Sequence, residues 1–363
     1  MIRVIVLIFL ISSKLIWSQS FEKIDSLIEN SIKLKAFPGA QIYLKSSDYT
    51  YSKSYGFHTY DSLVQVEQNH LYDLASITKT LAATLAIMKL YDEKKLRLDD
   101  VISKYIKNLN GSNKKNSSFH ELLIHQSGWK PYISHHLELI KKNGKLKSRF
   151  INTNDSKKSI ELAKNLFIKN SYYNKIVRKI KRTKIESKGE YIYSGLFFCL
   201  VPEIVENISG KSFQNYLNEN FYSKIGVNLM FNPAKNYQMN KIVPTEIDNT
   251  FRKQLVQGYV HDETAAIMGG ISGNAGLFGC ANDVGKISEL LLNKGSFNNE
   301  QLINESTVKY FSNPENYKNE RAIRGLGFDK PRLTSSGNTT PSHKFSDSSY
   351  GHTGFTGTFF WID

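Results

Sequence analysis

Ser76-Ile77-Thr78-Lys79 opens directly into Leu81-Ala82-Ala83-Thr84-Leu85-Ala86-Ile87-Met88, eight residues without a charge. A helix that is apolar on every side has to be buried, so this one forms the centre of a globular core. It carries the Ser-x-x-Lys pair into that core. Residues three apart share a helix face, which places Lys79 beside the Ser76 hydroxyl, and desolvation makes a buried lysine easier to deprotonate. The segment therefore supplies a serine nucleophile together with its base. Spacing alone is weak evidence, because Ser20, Ser112, Ser127 and Ser306 are also followed three residues later by lysine. Context separates them: Ser112 lies in the polar run Asn110-Gly111-Ser112-Asn113-Lys114-Lys115-Asn116, a solvated turn, whereas Ser76 heads the apolar helix.

Two further clusters follow at long intervals, Tyr193-Ser194-Gly195 and His352-Thr353-Gly354. The chain of 363 residues is long enough for one large domain or two sub-domains sharing a cleft. Met1-Ile2-Arg3, the apolar Val4 to Ile11 and the small and polar Ser12 to Gln19 read as a secretory signal peptide cut near Ser18, which leaves a domain over 21–363. The sequence leaves open an uncleaved anchor. Export, to the periplasm or the extracellular space, permits disulfides, yet Cys199 and Cys280 are the two cysteines, and both read as buried free thiols. The sequence does not decide whether they pair.

The formal charge of +15 raises the question of nucleic acid. No finger, basic zipper or aromatic RNA-binding motif is present, so no nucleic-acid partner is expected. The basic segment Lys175 to Lys184 offers a peripheral contact for anionic envelope polymers or lipid headgroups, with a solvated helix face as the alternative.

Apolar spacing predicts a helix over Phe21 to Leu34 that ends before Pro38-Gly39. A hairpin of Gln41 to Lys45 with Tyr49 to Tyr55 follows. A short helix spans Val101 to Ile106, and a helical middle from Phe119 to Phe231 carries the insertion Leu137 to Lys188. The helix after Ser194 is kinked at Pro202 or begins there, a final helix covers Asn282 to Leu292, and Thr358 to Ile362 is a closing strand.

The three clusters, with Leu122 to Gly128, Gly258 to Glu263, Gly269 to Phe278 and Gly325 to Asp329, resemble the serine β-lactamase and penicillin-binding-protein superfamily. Within it they are similar to the class C-like β-lactamase-related serine hydrolases and to penicillin-binding proteins of the 4B type. The resemblance runs from about Phe37 to Asp363. It implies an α+β fold, an antiparallel sheet flanked by helices with an inserted all-helical sub-domain. It also implies an acyl-enzyme on Ser76, proton transfer by Lys79 and Tyr193, and an oxyanion hole from the backbone N–H groups of Ser76 and Phe355. His352, Thr353 and Gly354 would bind substrate, with His352 in its charged form meeting a substrate carboxylate. The substrate would be an ester, a D-amino-acid peptide such as a cell-wall peptide, or a β-lactam, with a catalytically weak envelope-binding protein as the alternative. No metal or organic cofactor is expected: His261-Asp262-Glu263 reads as structural, as does His125, and Glu289 lies in a helix that the class C-like pattern already explains.

Two positions depart from the family pattern. Gly195 stands where an Asn or Asp side chain usually contacts the lysine, and His352 stands where lysine is common. In the resembled family a further strand and a helix follow the segment matching Phe359 to Ile362, so the resemblance leads us to expect more chain after Asp363.

Overall fold

The computed structural model describes residues 21–313, 324–333 and 339–363; the leader read at 1–18 lies outside them. The chain divides into two compact units, ending and beginning at His70 and Leu71.

In the first unit, a helix over 21–33 (α1) accompanies the hairpin of β1 (Gly39–Lys45) and β2 (Thr50–Gly56), paired from Gly39↔Gly56 to Lys45↔Thr50. Asp25 of α1 fastens the two, accepting hydrogen bonds from the Tyr51 and Tyr55 hydroxyls and pairing with Lys53 at 2.9 Å. The helix faces differ from the expected apolar stripe: Leu27 and Leu34 are exposed.

The second unit is built around the predicted buried helix. After β3 (Tyr72–Asp73), a π-helical turn at Lys79–Thr84 runs into α2 (Leu85–Asp92), and every residue from Ile77 to Met88 is buried. A π turn releases backbone carbonyls from the α-helical register and is common where a helix serves a site. One of these, Leu81 O, accepts the Tyr222 hydroxyl at 2.8 Å. The expected helix at Val101 to Ile106 is instead two 3-10 turns, Ile102–Lys104 and Lys107–Leu109. Helix α3 (Phe119–Leu123) starts at a capping box of Ser118 and Glu121.

The inserted region differs from an all-helical one. It holds β4 (Ile151–Asn152), β5 (Ser159–Ala163) and β6 (Leu166–Lys169) in an antiparallel sheet of order β4-β6-β5, followed by the basic α4 (Tyr172–Arg182). Pro202 sits in the first turn of α5 (Val201–Ser209), where its missing N–H costs nothing. Helices α6 (Phe213–Leu217) and α7 (Ser223–Ile225) follow.

Strand β7 (Met230–Phe231) joins the sheet β3-β10-β7 that places the site, the central strand β10 being Leu277–Gly279. Before it come the hairpin β8 (Glu246–Asp248) and β9 (Gln254–Val256), and α8 (Glu263–Ile267), capped by the Asp262 side chain. Helix α9 (Ala281–Leu292) matches the expected one but is not the last. After β11 (Ser296–Phe297) and β12 (Glu300–Gln301), α10 (Glu305–Ser312) returns to α2, where Thr307 Oγ1 donates to Asp92 at 2.6 Å. Strands β13 (Arg332–Leu333) and β14 (Thr339–Thr340) pair, as do β15 (Tyr350–Thr353) and β16 (Phe359–Ile362).

The segment that carries His261 is anchored by a buried ion pair. Arg252 Nε donates to Asp248 Oδ2 at 2.8 Å, and its other nitrogens reach the carbonyls of Val260 and His261 at 2.7 and 2.8 Å. Burial alone would raise the Asp248 pKa. The N–H groups of Phe251, Arg252 and Thr250, with the guanidinium, outweigh it and hold the carboxyl well below the usual range. Removing one partner of such a pair strands a buried charge. Arg252→Ala is expected to lower unfolding free energy by about 3 to 5 kcal/mol in urea titrations at neutral pH. The folded-state pKa is depressed, so this stabilisation is present above about pH 4 and lost in stronger acid. The variant should therefore show the smaller dependence on pH in that range.

Candidate active site

Ser76 stands on the tight turn between β3 and the buried helix. Ala75 just before it holds φ +44°, a left-handed conformation that a residue with a Cβ adopts only when its surroundings enforce it. The Asp73 carboxylate enforces it by accepting the Ala75 N–H at 2.8 Å.

One helical turn on, Lys79 Nζ donates to Ser76 Oγ at 2.9 Å and to the Asn274 carbonyl at 2.9 Å. The lysine is 3 % exposed. Its ammonium also lies 5.3 Å from the Tyr193 ring centre and 5.9 Å from that of Phe198, both within cation–π range.

Tyr193 reaches the lysine because its loop is bound on both sides. Ile192 N–H donates to His125 O at 2.8 Å, Gly195 N–H to Pro131 O at 3.0 Å and the Ser194 hydroxyl to Lys130 O at 2.7 Å. Ser194 of the Tyr-Ser-Gly cluster is thus a tether, and the tyrosine ring is left partly open to solvent. The lysine contact expected of a side chain at position 195 is supplied instead by the Asn274 main chain. There is room at 195, since a Cβ placed there would meet Asn274 Cβ at 3.9 Å.

The third cluster closes the opposite side. The turn after β15 lies on the segment before Ser76: Thr356 Oγ1 donates to Asp73 O at 2.6 Å and Thr358 Oγ1 to Leu74 O at 3.2 Å. Gly354 is required by this approach, because a Cβ there would stand 2.7 Å from Leu74 O and 2.2 Å from Thr358 Oγ1. Thr353 is exposed, as is the Phe355 ring. Among the described residues, the backbone N–H groups of Ser76 and Phe355 have no protein acceptor, so both remain available to a ligand oxygen.

His352 is the expectation that changes. It is 2 % exposed, and burial pulls its pKa down to about 4; Asp329 opposes that shift, while Arg324 and Lys79 add to it. It is neutral near pH 7 and offers no imidazolium to a carboxylate. Its Nδ1 lies 2.7 Å from Thr353 O. A carbonyl can only accept, so Nδ1 carries the proton and Nε2 is left as a buried lone pair without a partner among the described residues.

His125 is a structural residue of the same wall. Its ring is 4.6 Å from that of Tyr193, its Nδ1 accepts the Ser194 N–H at 3.2 Å, and burial pulls its pKa well below 6.5. The sequence reading missed Arg324, which is buried, ion-paired with Asp329, 3.1 Å from the Tyr191 hydroxyl and 5.7 Å from the Tyr193 ring centre. Its position directly before Gly325-Leu326-Gly327-Phe328-Asp329 was the available signal.

Cys199 and Cys280 are free and buried, and burial pushes both thiols up to about 12. Among the described residues no group of His, Cys, Asp and Glu is arranged to hold a metal ion.

The sequence profile of the beta-lactamase family matches residues 24–363. The chain belongs to the beta-lactamase family. It is 32 % identical over 349 residues to a protein of Escherichia coli (strain K12) named "Putative D-alanyl-D-alanine carboxypeptidase", covering 88 % of this chain and 74 % of that one. In fold it is similar to the octameric penicillin-binding protein homologue from Pyrococcus abyssi, with TM-score 0.65 and 19 % identity over 94 % of this chain and 70 % of that one. It is also similar to EstCE1, a hydrolase with promiscuous acyltransferase activity, with TM-score 0.67 and 16 % identity over 96 % and 91 %. As a member of the beta-lactamase family this chain is a serine hydrolase, with the expected mixed fold of antiparallel strands and helices.

For this hydrolase, a neutral His352 makes a definite statement about pH. KM for an acyl donor bearing a carboxylate should show no loss of affinity assignable to His352 between about pH 5.5 and about pH 8. NMR of the ¹⁵N-labelled protein should find the ring protonated on Nδ1 and titrating near 4. A His352 titration near 6.5, with affinity falling across it, would restore the imidazolium.

Proposed function

We propose that this protein is an exported acyl-transferring serine hydrolase that forms an acyl-enzyme on Ser76 and acts on peptides ending in D-amino acids. The observation that carries the reading is the 2.9 Å contact between Lys79 Nζ and Ser76 Oγ, with the Tyr193 ring against the same ammonium. The relatives named for D-alanyl-D-alanine carboxypeptidase activity support the substrate class.

In the proposed cycle Ser76 Oγ attacks the peptide carbonyl and its proton passes to the Lys79 and Tyr193 pair. The oxyanion is received by the Ser76 and Phe355 N–H groups. The C–N bond breaks, the pair returns the proton to the departing amine, and water attacks the ester on Ser76. The acid is released and the serine regains its hydrogen.

Ester hydrolysis is the second reading. It is favoured by Gly195, which has no polar side chain to assist β-lactam or peptide processing, and by the neutral His352. The leader read at 1–18 supports delivery to the periplasm or outside the cell. Residues 141–184 hold fifteen Lys and Arg against Asp155 and Glu161, which supports peripheral contact with an anionic envelope surface.

The activity is tested by D-alanine release from a peptide ending in D-Ala-D-Ala. Ser76→Ala should reduce kcat/KM by at least about a thousandfold in a variant that thermal melts show to be folded. If the wild-type protein leaves the peptide intact but hydrolyses a short-chain ester, the ester reading replaces it. Surface contact is tested by sedimentation with vesicles. Binding should require anionic lipid, weaken steeply as salt rises above about 0.15 M, and fall when Lys175, Arg178 and Arg182 are changed to Gln. Salt-insensitive binding, or none, would leave α4 as a solvated face.

A further inference from the structure

Asp73 is the last residue of β3 and is 1 % exposed. Its two carboxylate oxygens serve different parts of the site. Oδ1 accepts the Ala75 N–H at 2.8 Å, closing the left-handed turn before Ser76, and Oδ2 accepts the His261 N–H at 2.6 Å from the segment before α8. The Asp73 main-chain carbonyl takes the Thr356 hydroxyl from the turn after His352-Thr353-Gly354. The His261 ring in turn lies 5.3 Å from the ring of Phe355. One residue therefore touches the chain segments bearing both free N–H groups, those of Ser76 and Phe355.

A buried carboxylate is expensive unless it is fully hydrogen-bonded. No Lys or Arg forms an ion pair with Asp73 among the described residues, so its charge rests on those two N–H groups. A residue retained at that cost, beside a backbone turn that needs enforcing, has a geometric task.

We propose that Asp73 is a positioning residue, whose carboxylate locks the Ala75 turn and the His261 segment in one register so that the Ser76 and Phe355 N–H groups converge on a single substrate oxygen. This rests on Ser76 being the nucleophile. Oxyanion donors act by preorganisation, and a displacement of about 1 Å costs about a hundredfold in rate.

Protonation weakens the arrangement, because the carboxylic acid O–H is a donor and a poorer acceptor than the carboxylate oxygen it replaces, so one of the two N–H groups loses its charge-assisted bond. Burial pushes the Asp73 pKa up to about 6, while the N–H groups of His261 and Ala75 restrain it. The titratable groups facing Asp73 are His261, which lowers its pKa, and Asp262, which raises it. The neighbouring β10 presents Phe278 and Gly279, and the turn after β15 presents Thr356; none of these titrates. The wild-type rate should therefore fall as pH drops through about 6.

Asn at 73 keeps the shape but turns one N–H acceptor into an NH₂ donor. In the full chain, with a short-chain activated ester from about pH 5 to about pH 8, Asp73→Asn is expected to lower kcat about ten- to a hundredfold, to leave KM within about twofold, and to abolish the acid limb near pH 6. Thr356→Val should lower kcat less and keep the limb. Thermal melts establish that the variants are folded. Wild-type kcat and an unchanged limb in folded Asp73→Asn would overturn the proposal. If that variant does not fold, an unaltered kcat in Thr356→Val or the lack of a wild-type limb near 6 would do so. A wild-type chain inactive at every pH would count against the Ser76 reading instead.

Discussion

A lysine ammonium held at 3 % exposure inside an apolar helix is the constraint around which the site is arranged. Taking such a charge out of water costs several kcal/mol unless its donors are used. Lys79 uses them on the Ser76 hydroxyl and the Asn274 carbonyl, and Tyr193 and Phe198 offer ring faces to the rest. The Asn274 carbonyl can be there only because the glycine-rich segment folds closely over the helix. A Cβ at Gly273 would lie 2.4 Å from Phe198 O and 3.1 Å from Ala83 Cβ, and Gly276 holds φ +111°. Ser76, the glycine run and the tyrosine loop thus meet at one buried lysine.

The charges around Tyr193 follow from packing rather than from residue type. His125 and His352 flank the ring, and both are neutral because they are buried beside Arg324 and Lys79. Two histidines that could have titrated near neutrality are fixed as one lone pair and one N–H. Arg324, on the same wall, is balanced by Asp329.

Much of this was legible in sequence where the signal is local. The eight-residue apolar run dictated a buried helix, the three-residue spacing set Lys79 beside Ser76, and Pro202 marked the start of α5. What was illegible depends on chain segments far apart. The charge state of His352 is decided by burial, which Arg324 and Lys79 reinforce and Asp329 opposes. Arg324 has no motif of its own, and the bond from Asp73 to His261 joins residues 188 positions apart. The strands β4 to β6 are two to five residues long in Lys- and Asn-rich sequence, too short for alternation to show. Leu27 and Leu34 satisfied helical spacing yet are exposed, while α1 meets its hairpin through Phe21 stacked on Tyr51 and through the Asp25 carboxylate.

Activation of Ser76 by Lys79 is tested directly by covalent trapping. The full-length protein is treated with a fluorophosphonate, its intact mass is measured, and the adduct is located by peptide mapping. A single adduct is expected on Ser76 in the wild type, none in a folded Ser76→Ala variant, and labelling slowed at least about a hundredfold in Lys79→Met. An adduct on another residue, or undiminished labelling of Ser76 when Lys79 is replaced, would contradict it.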